Sequence, residues 1–236
     1  MAPTSIWLME RLLLMEAEVK SFLLRKNLSY ELELKEELLE ILEQVELLYG
    51  PRDRSYEMLE PRITECVYAH PTIYGPRKIR IYLTKEAKDN RYIAAIELAH
   101  EAVHTLTPEF LGKGDTILEE GLAEYFAFKY MQRNYRVQLE TSGYREYDAA
   151  LHAVSKLLAK NEFVIKELRV HQPVISRIDE KLLVEVAGAE PELAKFLCQD
   201  FWSYWEPPAS WNARATQRAQ LFTRGVQSIW NDLKSA

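Results

Sequence analysis

Between residues 89 and 108 the chain carries apolar side chains at steps of three and four, Tyr92, Ile93, Ile96, Ala99, Val103 and Leu106, a spacing that predicts an α-helix. Asp89 is placed to cap its start and Pro108 to end it. The rest of its surface is nearly apolar too, apart from Glu97, His100, Glu101 and His104. Such a helix has to be buried on most sides, and ionisable groups taken out of water need partners. Any fold of this chain must therefore bring something to that polar patch.

Residues 100–104 read HEAVH. Four residues are slightly more than one helical turn, so His100 and His104 project from one face and can offer nitrogens to a single ion about 2 Å away. Glu101 sits a little further around the helix, where its carboxylate can take a proton from water instead of binding metal. A histidine alone in a core is usually just hydrogen-bonded. Two of them flanking a glutamate call for a common partner. A catalytic zinc site wants a third protein ligand and one open position, and LEEGLAEYFA at 118–127 offers Glu119, Glu120 and Glu124.

These two segments resemble the gluzincin metallopeptidases, in which an HExxH helix is followed by a second helix bearing a glutamate ligand in a context like NEGLAEYF. The resemblance covers about residues 78–130. It implies a zinc cofactor, with Glu120, the glutamate directly before the glycine, as third ligand beside His100 and His104, and Glu101 as general base. The activity implied is hydrolysis of a peptide or protein substrate. Helical phase agrees independently: Thr116 and Glu119 have the form of a capping box, while Glu120 and Glu124 share the opposite face. Glu124 is then expected to orient His100 or His104 through the far ring nitrogen.

The implied fold is α+β and zincin-like, a small sheet packed on the active-site helix with a mostly helical C-terminal part. In gluzincins a strand before the HExxH helix lies antiparallel to the bound peptide; residues 78–84, or alternatively 63–68, are the candidates. An oxyanion donor from the C-terminal half is also implied. Tyr144, Tyr147, His152 and His171 are available, and Tyr144, just after Gly143, is preferred.

Elsewhere, Leu34, Leu38, Ile41, Val45 and Leu48 predict a helix over 29–49, stopped by Gly50 and Pro51. Residues 5–25 also read as helical. Residues 63–68 and 78–84 read as two strands joined through HPTIYGPRK, with His70 in the turn. A helix is expected over 117–133, and mostly helix beyond 145, with WSYWEPPASW as a packed connector. Three regions result: an acidic N-terminal helical region, 1–60; the core with both motif helices, 61–140; and a C-terminal helical subdomain, 141–236.

The chain has 236 residues, 47% of them hydrophobic, enough for a buried core. Its 30 basic and 36 acidic side chains give a net charge of -6, with no broad footprint for nucleic acid. Residues 1–60 carry 13 acidic and 7 basic groups, so the whole excess lies there. A solvated helix face explains it, and a docking surface for a protein partner is the alternative. Cys66 and Cys198 are expected to be buried thiols in a reducing, cytoplasmic setting. Glu10 and Arg11 interrupt the first apolar run, which argues against a secretion signal, and no stretch is long enough to span a membrane. Two rivals to a peptidase remain: a zincin scaffold that binds a protein with little or no turnover, and a metal-free polar cluster.

Overall fold

The structure is a computed structural model that describes residues 30–66, 68–108 and 115–204. The helical readings of 5–25 and of the chain's last segment, together with most of WSYWEPPASW, lie outside the described residues. The chain is α+β. Helix α1, residues 30–49, turns Leu34, Leu38, Ile41 and Val45 into the core. Gly50, at φ 92°, ends it with a bond from its N–H to the Glu46 carbonyl, a conformation that costs glycine little. The last carbonyls of α1 are then satisfied from far along the chain. The buried Arg169 guanidinium donates to the carbonyls of Tyr49, Gly50 and Pro51 at 2.8, 3.0 and 3.0 Å, and to Pro173 at 2.8 Å.

A small mixed sheet follows, made of β1 (Glu57–Met58), β2 (Arg62–Ile63), β3 (His70–Tyr74) and β4 (Lys78–Leu83). Strand β4 is central: β3 pairs antiparallel along one edge, while β1 and β2 pair parallel with the other. Four residues separate Met58 from Arg62 where three separate their partners Ile79 and Tyr82, so the β1–β2 stretch bulges around Pro61. Two expectations are corrected here. Of the expected first strand, 63–68, only Ile63 lies in the sheet, paired in β2 with the preceding Arg62, and His70, expected in a turn, begins β3. The turn itself is Gly75–Pro76–Arg77, with φ of 49° at Gly75 and 62° at Arg77.

On β4, Ile79, Ile81 and Leu83 face inward against α2 (Arg91–His104). Asn90, not Asp89, caps α2, its side chain accepting from the N–H groups of Tyr92 and Ile93. Glu97 finds its partner just past the end of β4, where Thr84 donates to it through both N–H and hydroxyl at 2.9 and 2.6 Å. Helix α3 (Ile117–Tyr130) starts with the Thr116 side chain accepting from the Glu119 N–H, and the last turn expected of it is a π-helical stretch, Met131–Tyr135. The C-terminal part is helical, with α4 (Arg145–Leu158), α5 (Val164–His171), α6 (Glu180–Glu185), α7 (Pro191–Leu197) and α8 (Phe201–Tyr204).

Gly121 explains how closely α3 meets α4. A Cβ there would stand 2.6 Å from the Ala150 carbonyl oxygen and 2.6 Å from a Val154 methyl. One core joins α1, β4, α2, α3 and α4 to Phe201. Backbone bonds from Ile117 N–H to Gln199 and from Phe201 N–H to Asp115 fasten the start of α3 to α8. No helix among the described residues is long and apolar enough to cross a membrane. Cys66 and Cys198, expected buried, are both partly exposed free thiols.

Candidate metal centre

Helices α2 and α3 run antiparallel, because His104 at the end of α2 faces Glu119 and Glu120 at the start of α3, while His100 faces Glu124 one turn on. All six of the motif side chains, His100, Glu101, His104, Glu119, Glu120 and Glu124, are buried. His100 Nδ1 lies 3.0 Å from Glu124 Oε2, and His104 Nδ1 lies 3.4 Å from Glu119 Oε1. An ionised carboxylate only accepts, so each Nδ1 carries its hydrogen and, in the neutral ring, each Nε2 presents a lone pair. The two Nε2 atoms are 3.4 Å apart.

Glu120 completes the triangle, with Oε2 3.4 Å from His100 Nε2 and Oε1 3.8 Å from His104 Nε2. Its Oε2 is buried without a hydrogen-bond partner. Ligand atoms about 2.1 Å from a tetrahedral ion stand about 3.4 Å from one another. The three side chains therefore have the spacing of a cation site, with all their ligand atoms within 4.8 Å of one another. The buried Glu120 oxygen faces the Nε2 atom of His100, and either a cation or a proton on that imidazole would satisfy it. A second grouping, His104, Asp115 and Glu119, shares His104 and is less buried at Asp115.

The electrostatics agree. Burial alone would lower the pKa of His100, but the carboxylates of Glu120, Glu124 and Glu101 push it up to about 9. Burial likewise opposes protonation of His104, and Glu120, Glu119 and Glu101 raise it well above the ordinary range. Glu120 goes the other way: burial would raise it, and His104 and His100 hold it below the usual carboxylate value. Burial pushes Asp115 up to about 6, against the opposing pull of His104. Five carboxylates around two imidazoles leave a negative excess that a cation offsets.

The structure thus brings together His100, His104, Glu120, Glu101 and Glu124. Glu119, expected to spend its side chain on the helix cap, uses only its N–H there and turns its carboxylate to His104. Tyr144 sits at the start of α4, its ring 5.8 Å from that of Tyr147; the Tyr147 ring is the one set edge-on to His100, at 5.9 Å, and also packs on Phe201 at 4.9 Å. His152 and His171 are exposed and belong to neither cation grouping among the described residues, and the same holds for the partly exposed Cys66. Of the residues that matter, Glu119, Asp115 and Tyr147 were not singled out for these contacts. A signal for Glu119 exists: with antiparallel helices, the four-residue step from Glu120 to Glu124 mirrors that from His104 to His100, which leaves the residue before Glu120 beside His104. Comparison with known protein families, curated proteins and solved structures finds no match.

Proposed function

We propose that this protein is a zinc-dependent peptidase of the gluzincin type, with a zincin-like core formed by the sheet, α2 and α3. The observation that carries this reading is the convergence of two imidazole Nε2 atoms and an unpartnered Glu120 oxygen, with Glu101 buried beside them. Two nitrogens and one carboxylate at tetrahedral spacing suit zinc better than magnesium or calcium, which prefer oxygen sets. Zinc held by His100, His104 and Glu120 would supply Lewis acidity, lowering the pKa of water and polarising a scissile carbonyl. Glu101 would accept the proton of the attacking water and hand it to the leaving amine nitrogen. Glu119 and Glu124 hold the two rings in the tautomer that points Nε2 inward, and Tyr147 fixes the plane of His100.

One part of the sequence reading changes. Strand β4, the favoured candidate for pairing with a bound peptide, has both edges occupied, so β3 takes over that role.

The test is zinc content of the purified chain together with its cleavage of unbiased peptides with and without a chelator. Chelator-sensitive cleavage, lost in a metal-loaded Glu101→Gln variant, is the expected result. Undiminished turnover in that variant would sink the mechanism. A protein that holds zinc yet cleaves nothing points instead to the binding scaffold, and one that takes up no metal to a plain polar cluster.

A further inference from the structure

His100, His104 and Glu120 are all buried, and so are Glu101, Glu119 and Glu124 around them. A divalent ion has to give up hydration water to reach ligands placed so deep, and taking a charge out of water in one step is costly. A centre of this kind therefore needs an entry path, along which protein oxygens replace water in stages. Among the described residues of the two cation groupings, Asp115 alone is partly exposed.

Backbone fixes where Asp115 stands. Phe201 N–H donates to its carbonyl at 2.8 Å, Thr116 beside it bridges to Asp200, and the Trp202 indole N–H lies 3.5 Å from its Oδ2. A ligand atom each from Asp115, Glu119 and His104 lie within 4.8 Å of one another, the same limit that holds for His100, His104 and Glu120. The outer and inner groups share His104, and their acids Glu119 and Glu120 are consecutive in the first turn of α3. A cation held by the outer group is thus one residue away from the inner one. The inner end holds the stronger attraction, because Glu120 Oε2 is buried with no hydrogen-bond partner and lies 3.4 Å from His100 Nε2. Contact with solvent weakens the pull of Asp115 by comparison. An outer group that binds loosely beside an inner one that binds firmly has the form of a transit point.

We propose that Asp115 and Glu119, with His104 as the shared residue, form the entry point through which a divalent cation reaches His100, His104 and Glu120. The two carboxylates replace part of its water, Glu120 draws it inward, and Asp115 is left behind. At the hand-over a bond forms between His104 Nε2 and the cation, and any hydrogen on that nitrogen leaves to solvent. Asp115 then governs how fast the centre fills and empties, and not how tightly it holds. This inference rests on the metal reading of the inner group and does not require peptide cleavage.

The experiment follows uptake of Co2+ by the full metal-free chain in stopped-flow absorption. In the unsubstituted protein the rate should level off as Co2+ rises, because capture saturates ahead of hand-over. In Asp115→Asn the Co2+ concentration giving half the limiting rate should rise about ten-fold, the low end of what a cleft of one charge sign adds to an on-rate. Release to excess chelator should slow by the same factor, since the ion leaves by the way it came, and equilibrium affinity should not change. Asp115→Glu, which keeps the charge, should behave as the unsubstituted protein. Three results overturn the proposal: a rate that climbs linearly with Co2+ throughout, equal kinetics in Asp115→Asn, or a loss of affinity in that variant with release unchanged. The last would make Asp115 a plain source of attraction. Should Asp115→Asn not fold, the uptake curve of the unsubstituted protein still decides between staged and one-step entry. One-step uptake removes the path and leaves the centre, whereas a chain that takes up neither Co2+ nor Zn2+ overturns both; staged uptake without cleavage removes only the peptidase.

Discussion

Gly121→Ala tests whether the meeting of α3 and α4 sets the position of Glu120. In an ordinary helix interior this change favours folding by about 1 kcal/mol, because alanine loses less backbone freedom than glycine. Here the new methyl would stand 2.6 Å from the Ala150 oxygen, 2.6 Å from a Val154 methyl and 2.9 Å from the Ala150 carbonyl carbon. The valine can rotate away. The carbonyl is helix backbone, and ordinary contact at about 3.5 Å requires the two helices to part by roughly 0.9 Å. Overpacking of this kind costs about 1–3 kcal/mol, which offsets the propensity gain and leaves a net loss of up to about 2 kcal/mol. In a domain of this size that lowers the melting temperature by up to roughly 8 °C. Because α3 also carries Glu120, displacing it towards α2 disturbs the 3.4 Å spacing of the ligand triangle, and zinc affinity should drop about ten-fold or more. Circular dichroism melts of the metal-free protein and zinc titration against an indicator chelator read the two effects. A Gly121→Ala protein that melts at the same or a higher temperature with unchanged zinc affinity would refute the reasoning.

Zinc uptake should release at least one proton near neutral pH and strengthen as pH rises towards about 9, because carboxylates raise both imidazole pKa values in the metal-free site; calorimetry in buffers of different ionisation enthalpy counts the protons. For the same reason the metal-free chain should be stabilised by histidine protonation below about pH 6.5, the unfolded value, and lose that stability as pH climbs through the folded value of about 9 for His100. Urea unfolding across that window gives the sign, and a metal-free protein growing more stable there would contradict it. Glu119→Gln and Glu124→Gln should each weaken zinc binding about 10–100-fold without removing a ligand, as loss of ring orientation does, seen by the same chelator competition. Arg169→Ala strips partners from the buried carbonyls closing α1 and should cost about 2–4 kcal/mol in denaturant unfolding while zinc affinity stays put.

The centre was legible because its chemistry is local to two helices. His100, His104, Glu120 and Glu124 follow from helical phase on α2 and α3, and the periodic α1 with its Gly50 stop was equally plain. What failed were choices between neighbours with similar propensities. Asn90 and Asp89 both cap well, and only packing decides; Glu119 can close a capping box or turn to a histidine, and a buried imidazole in need of an acceptor wins. The sheet was hardest to read. His70–Tyr74 contains a proline and sits beside turn residues, yet pairing with β4 makes it a strand, whereas most of residues 63–68, with better β-formers, stays outside. Tyr147 was one tyrosine among 13 until α4 was laid against α3.

The bridge from residues 199–201 to residues 115–117 has a bearing on biogenesis. The start of the helix that holds Glu120 is pinned by backbone some eighty residues later in synthesis, so a nascent chain that has just emerged with both motif helices still lacks that pin. Closing so long a loop is slow compared with forming local helices. Under the proposed function, an ion would therefore find a firm site only after residues 199–201 have been made, not when the two motif helices first emerge.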